Sequence, residues 1–485
     1  MVKGRATSVK RIESSRRRRE DVPRTEAWLA RVAAGKQARA AAALEDQAVF
    51  DPTSLRADPV ELLGRQGPSR VAELLPIRYG RMVSSPFAFY RGAALVMAAD
   101  LATTPSSGLR VQLCGDAHLS NFGFYASPER HLVFDLNDFD ETLPGPFEWD
   151  VKRLAASLEI AARSQSFRFK ETRAIVVGAV RSYRESMRAF AKMPIGAVWY
   201  ARLDADEFLG KLRDVAPPER TRKAEMLIAT AKTKDSLQAF RKLTHEVDGQ
   251  SRIVSDPPRI VPVEELFPGQ IGEQVQAQMA GLLAAYRESL VSDRRHLFDQ
   301  YRFVHMARKV VGVGSVGTRA WILLFEGRDP QDPLFLQAKE AQSSVLEQYA
   351  GVSRYTNHGE RVVAGQRLMQ ASSDIFLGWQ RTNGLDGVDR DYYLRQLRDW
   401  KASAEVEGSV PQGMAVYAQV CGWTLARAHA RSGDRIAIAA YFGKSNKFDE
   451  AVADFSAAYA DQNDKDHALL RHAIDVGGIT ATEGI

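Results

Sequence analysis

The chain has 485 residues, 45% of them hydrophobic and 26% charged, with 20 Pro, 35 Gly and only 2 Cys. This composition excludes collagen-like, wholly disordered and disulfide-stapled proteins, and the length suits a bilobal unit or two to three domains. The net charge of +6 belongs to a tail: residues 1–19 hold eight Lys and Arg against one acid, so the rest sums to −1 and offers no phosphate-tracking stripe.

The Arg16–Arg19 run reads as a solvated arm. With the Ala-rich helical stretch Glu26–Leu44 it forms a basic N-terminal unit over residues 1–45. Cys114 and Cys421 allow at most one bridge, which points to a reducing, cytosolic compartment. No apolar run approaches a membrane span, and no apolar stretch follows the basic residues as in a secretory signal.

After a loop at Asp51–Asp58, short helices are expected around Val60–Leu63 and Val71–Leu75, and a buried helix at Pro86–Leu101. Leu109–Leu113 and His131–Leu136 are β-like runs flanking a polar loop, the pattern of a hairpin that carries functional residues. Trp149–Ala191 has helical spacing. The Pro-rich residues 215–270 predict an insertion or linker, followed by a long helix over Ile271–Gln300. Strand character returns at Val304–Val313, Thr318–Glu326 and Leu334–Lys339, then at Asp374–Gln380 and Tyr392–Leu397. Met414–Arg431 predicts a helix stopped by Gly433, and the remainder is mostly helical. The expected fold is α+β with two lobes: a small β-rich lobe over 304–405, and a mostly helical large lobe from 51–300 and 406–485.

Two acidic motifs stand close together, Cys114-Gly-Asp-Ala-His-Leu-Ser-Asn121 and Phe134-Asp-Leu-Asn-Asp-Phe-Asp-Glu141. Hard cations such as Mg²⁺ take carboxylate, amide and water oxygens and bridge to phosphates. Asn121, Asp138 and Asp140 are candidate metal ligands on one wall, and Asp116 can take a proton from a hydroxyl nucleophile. Asp116 and Asn121 have the D-x-x-x-x-N spacing of a kinase catalytic loop, and Asp138-Phe139-Asp140 stands where D-F-G would. Asn137 and Glu141 read as turn residues, and His118 as loop packing.

Gly312, Gly314 and Gly317 fit G-x-G-x-x-G. The β-prone Trp321–Phe325 that follows makes the pattern strand–glycines–strand rather than a Rossmann turn. Such a loop lets backbone approach nucleotide phosphates closely. On the next strand, alternation sets Phe335, Gln337 and Lys339 on one face, so Lys339 reaches beneath the glycines. A carboxylate should brace this lysine, and Glu347 and Glu360 are the candidates.

Together these parts resemble the protein-kinase-like superfamily, more its small-molecule branch of aminoglycoside and choline kinases than the Ser/Thr kinases. Gly115-Asp116, His118 and Asn121 match the branch's H-G-D-x-H-x-x-N, with Cys114 in place of the leading His; Asp138-Phe139 matches the second element. Pro146-Phe-Glu-Trp-Asp150 is similar to the third, whose Asp holds the catalytic loop's backbone. From about Asp51 the chain also resembles a bacterial family named only as domain of unknown function twenty-two fifty-two. Its motifs are Arg78–Met82, Ser85–Gly92, the acidic hairpin and Leu425–Arg431. The glycines follow the acidic loop by about two hundred residues, the reverse of kinase order, so the resemblance implies circularly permuted lobes.

It further implies an ATP- and Mg²⁺-dependent phosphotransferase acting on a hydroxyl-bearing acceptor, small molecule or protein. A nucleotide-binding pseudokinase or an AMP-transferring enzyme would use the same residues. A metallophosphoesterase is disfavoured because no Gly-Asn-His motif supplies further ligands, and nucleic-acid binding would rest on the tail alone. Arg78, Arg81 and Arg91 read as packing or ion-pairing residues, with anionic substrate as the other use.

Overall fold

Strand β1 (Arg110–Leu113) pairs antiparallel with β4 (Leu143–Pro146), not with the run at 131–136. The hairpin forms instead between β2 (Phe122–Ala126) and β3 (Leu132–Leu136), with β5 (Leu203–Asp204) at the far edge. Every residue of β2 and β3 is buried. A strand covered on both faces has no polar alternation, so β2 gives no period-two signal. The computed structural model describes residues 25–484 apart from Ser54, 214–217, Lys234, 268–272, Val311, 384–386, 398–399 and 403–407. The Arg16–Arg19 arm and Pro217, Pro268 and Ile271 lie outside the described residues.

A separate hairpin joins β6 (Thr244–Val247) and β7 (Gln250–Ile253). The largest sheet has six antiparallel strands. Its order is β12 (Gly378–Asn383), β13 (Asp389–Gln396), β11 (Pro333–Ala341), β10 (Ala320–Glu326), β9 (Arg302–Lys309) and β8 (Ile260–Pro262). The central β11 is buried throughout. Leu334, Leu336 and Ala338 join one apolar cluster with Tyr286, Leu290 and Phe298, while Phe335 joins another with Ala239, Leu243 and Ile322. Helices Ser236–Leu243, Glu273–Ser289 and Ser292–Phe298 therefore pack with this sheet, and β8 pairs with β9 across the lobe boundary expected at residue 300. Prolines and charges mark residues 215–270 in the sequence, yet Ala239, Leu243, Ile253 and Ile260 of that stretch join the sheet's apolar cluster. The long helix expected after it is two, Glu273–Ser289 and Ser292–Phe298.

The rest is a helical body with one extended core. Helices Phe147–Ser164, Phe169–Phe190, Pro411–Ser432 and Lys447–Asp475 form it, and the Pro86–Leu101 segment is two helices, Pro86–Gly92 and Ala94–Leu101. The architecture is mixed α+β. Among the described residues no helix is long and apolar enough to cross a membrane. Cys114 and Cys421 are buried and unbridged.

Three contacts tie together the elements around one cleft. The C-terminal end of Pro411–Ser432 abuts β1, where the Gln112 amide donates to Ser432 Oγ at 3.2 Å. Beyond β13, Phe124 and Ala402 exchange backbone hydrogen bonds of 2.7 and 3.1 Å. Helix His358–Met369, between β11 and β12 in the chain, packs on the sheet and on β1.

Candidate active cleft

The loop from Cys114 to Asn121 begins with a residue that only glycine fits comfortably. Gly115 has φ +86°, and a Cβ there would lie 2.3 Å from the Glu141 carbonyl oxygen. The turn exposes two backbone amides, Cys114 and Gly115, which donate to the two Asp150 carboxylate oxygens at 2.8 and 3.1 Å. Behind Asp150, His429 Nε2 lies 3.2 Å from the carboxylate and its Nδ1 lies 2.8 Å from the Tyr183 hydroxyl. Further along the loop, the Leu119 amide donates to Ser157 Oγ at 2.9 Å. Asn121 Nδ2 donates to the Asp116 carbonyl at 2.8 Å, which orients its amide oxygen as a possible ligand. Asp116 is thus presented on a rigid turn.

Its carboxylate is not free. Arg153 approaches Oδ1 within 2.7 Å, also donates to the Tyr90 carbonyl and stacks over the Tyr90 ring. Sequence reasoning missed Arg153, although it stands three residues after Asp150 and so on the same helical face. Burial raises the Asp116 pKa against the pull of Arg153 and Arg91. His118 Nε2 is 3.7 Å from Asp116 Oδ2. Burial, with the nearby Arg91 and Arg153 charges, pushes His118 well below its ordinary pKa, so it is neutral.

Lys339 crosses to the second acidic motif. Across β11 and β13 it stands opposite Tyr393, so both side chains leave the sheet on one face. Both end on Asp140: Lys339 Nζ donates to Oδ2 at 2.5 Å and the Tyr393 hydroxyl to Oδ1 at 2.6 Å. Ser315, inside the glycine loop, adds a hydrogen bond to Oδ2 at 3.1 Å. Asp138 Oδ2 is 4.0 Å from Lys339 Nζ. The carboxylates that brace the lysine are therefore Asp140 and Asp138. Glu347 lines the same cleft but accepts from the Ser344 amide, and no local sequence pattern pairs Lys339 with a residue 199 positions upstream. Burial draws the lysine's pKa down, yet Asp138 and Asp140 outweigh it and the net shift is upward. For Asp138 burial and the Asp140 charge both raise the pKa, whereas for Asp140 the lysine and tyrosine overcome burial and lower it.

The glycines occupy the expected place, between β9 and β10. Gly314 passes the Arg91 carbonyl, and Gly317, at φ +91°, lies under the Arg70 side chain. A cleft of about 830 Å³ is lined by Asp116, Asp138, Asp140, Gly312, Gly314 and Lys339, among others. Residues from early and late in the chain thus share one cavity. Asn121 and Gly317 are adjacent to it through their loops rather than in its lining. His118 is the one described histidine in that lining, which does not suit a site built on several histidine ligands.

A family described as uncharacterized proteins conserved in bacteria (DUF2252) matches residues 70–473. The chain belongs to this family. That span includes the acidic loop, the glycine loop, Lys339 and the His429 helix, so most of the cleft lies within the matched residues, while Leu62, Arg65, Gln66 and Ser69 of its lining precede them. No curated protein and no solved structure matches the chain.

Among the described residues no three His, Cys, Asp or Glu side chains are arranged to hold a metal. Mg²⁺ needs fewer protein ligands, since it is held by one or two carboxylates together with phosphates and water. Asp138 fits, with one oxygen accepting only from the Asp140 amide at 3.1 Å, and Asn121 precedes the strand paired with β3. Asp140 does not fit, because both its oxygens are engaged by Lys339, Ser315 and Tyr393.

Proposed function

We propose that this protein is an ATP- and magnesium-dependent phosphotransferase of kinase-like type, with circularly permuted lobes, acting on a hydroxyl-bearing acceptor. The observation that carries the reading is the meeting of Asp116, Asp138, Lys339 and the glycine loop on one cleft, with Asp138 4.0 Å from Lys339. Topology adds support. Glycines join the first two strands of the antiparallel run β9–β10–β11, the lysine stands on the third, and a helix follows it, as in the kinase arrangement. The helix Pro411–Ser432 ends against the strand that feeds the Asp116 loop, as expected if old termini were joined and new ones cut elsewhere. One departure is the lysine's partner, Asp140 rather than a helix glutamate.

In this reading Asp116, held by Arg153, orients the acceptor hydroxyl and receives its proton. The acceptor oxygen forms a bond to the γ-phosphorus as the bond from phosphorus to the β,γ-bridging oxygen breaks, and ADP leaves. Lys339 and the glycine-loop amides position the phosphate chain, so catalysis is mostly placement and charge neutralisation. Magnesium on Asp138 and Asn121 would neutralise the β- and γ-phosphates.

Calorimetric titration of Mg–ATP into wild type and Asp138→Ala tests this. Saturable binding in wild type, weakened at least about tenfold in the variant, is expected; absence of binding in wild type overturns the reading. ATP labelled at the α or γ phosphate then separates nucleotidyl from phosphoryl transfer.

A further inference from the structure

Several arginines of low exposure in this protein meet a carboxylate or several carbonyls, although the Nε of Arg361 and of Arg427 is unpartnered. Arg153 has Asp116, Arg427 has Asp135 and the Met369 carbonyl, and Arg361 has three backbone carbonyls. Three others meet no carboxylate of the described residues within ion-pair distance, Arg78 buried and Arg70 and Arg91 half-buried. Arg70 and Arg91 line the cleft, and Arg78, fully buried, donates to the Gly92 carbonyl beside Arg91 and to Gln66. Among the described residues none of these three forms an ion pair, and the Nε of each is buried without a hydrogen-bond partner, as is Nη1 of Arg78. The charge of Arg70 bears unfavourably on Arg78, and that of Arg81 on Arg91.

Clustered cations of low exposure are unfavourable, and neither Asp116 near Arg91 nor Glu141, Asp140 and Glu340 near Arg70 outweigh the burial. The missing charge is therefore expected from a ligand. A guanidinium presents a planar fork of donors that matches the oxygens of a phosphate or carboxylate. The nucleotide's phosphates are already provided for by Lys339, the glycine amides and an ion on Asp138. Arg91 instead bears on Asp116, the group that meets the acceptor hydroxyl, and neutral His118 lines the same corner with Nδ1 buried and unpartnered.

We infer that the acceptor is itself an anion: a hydroxyl compound carrying a phosphate or carboxylate group that seats on Arg91 and Arg70 beside Asp116. The word acceptor rests on the phosphotransferase reading; the oxyanion site does not.

The test titrates inorganic phosphate, and separately acetate, into the full-length protein at fixed ionic strength, with calorimetry as readout. Wild type, Arg91→Gln, Arg70→Gln and Arg91→Lys are compared, with and without magnesium and a non-hydrolysable ATP analogue at saturation. Binding of either probe is expected in wild type, surviving the analogue and weakened about tenfold or more in both glutamine variants. Arg91→Lys keeps the charge without the fork and is expected to lie between, which guards against a variant that fails to fold, as does a thermal melt of each. Preference for phosphate or acetate names the oxyanion. Failure of both probes to bind wild type, indifference to Arg91→Gln in a folded variant, or complete displacement by the analogue overturns the inference. Phosphate binding through Arg91 without any Mg–ATP binding would keep the oxyanion site and remove the phosphotransferase reading; the converse would do the opposite.

Discussion

The two walls of the cleft are held by different means. On the helical wall, polar side chains from distant segments hold the Asp116 loop: Asp150 takes two amides, Ser157 a third, and the Tyr417 hydroxyl meets the Leu119 and Phe122 carbonyls at 2.8 and 3.1 Å. The glycine wall rests mainly on backbone and apolar packing. The Val71 amide donates to the Gly317 carbonyl at 2.7 Å, and Val316 is buried in a small cluster with Leu74 and Ile77. One wall keeps a carboxylate in a fixed pose through interactions that each have a named partner. The other fits closely because side chains are missing from it.

Changes where the walls meet should have the largest effect. Lys339→Ala leaves the half-buried Asp138 and Asp140 side by side without the lysine between them. We expect a loss of about 3–5 kcal/mol in urea unfolding and at least roughly a hundredfold loss of phosphoryl transfer. Next comes the helical wall alone: Asp150→Ala strips partners from two amides, for about 2–4 kcal/mol. Turnover should then fall while Mg–ATP affinity, measured by calorimetry, stays within about twofold. A purely scaffold-like loop would show the stability loss without the change in turnover.

Glu141 also joins the walls, accepting from the Val345 amide at 2.7 Å. Burial pushes its pKa up to about 7 from an ordinary 4.5, against the pull of Arg361. The native state therefore holds this proton more tightly than the unfolded chain. The resulting stability is fully present below pH 4.5 and is lost as pH rises through about 7, on the order of 3 kcal/mol. Glu141→Gln lacks this titration, so urea melts should find wild type losing ground to the variant between pH 4.5 and 8; a constant gap would contradict it. The smallest effects belong to the glycine wall. Gly317→Ala meets both a positive φ and the Arg70 side chain at 3.0 Å, for about 1–2 kcal/mol. Gly312→Ala has nothing within 4 Å and should stay within about 0.5 kcal/mol.

What was legible in the sequence follows the same division. Asp116, Asn121 and Asp138 declare themselves by spacing within single loops, and Lys339 by alternation within one strand. Asp150 was legible through its place at a helix start. The lysine's brace was not, because Asp140 meets Lys339 only after β13 has set Tyr393 alongside it, a relation with no trace in local order. The hairpin partner of β3 escaped because β2 is buried on both faces. Residues 215–270 read as an insertion or linker because their prolines and charges mask the few positions, Ala239, Leu243, Ile253 and Ile260, that join the sheet's apolar cluster. The arginines of 70–91 were visible as residues, but their lack of counter-charges emerges only in three dimensions.

Arg361, on the helix His358–Met369, reaches both sides of the cleft at once. It donates to the carbonyls of Asp140 and Thr142 on one side and of Gln342, just past the lysine strand, on the other, each at 2.8 Å. Because the acceptors are main-chain atoms, a shift of that helix would carry the Asp138–Asp140 segment and the end of β11 along together. One side chain thereby stitches the two sides of this edge together, so a substitution at Arg361 would loosen the Asp138–Asp140 segment and the lysine strand in the same stroke.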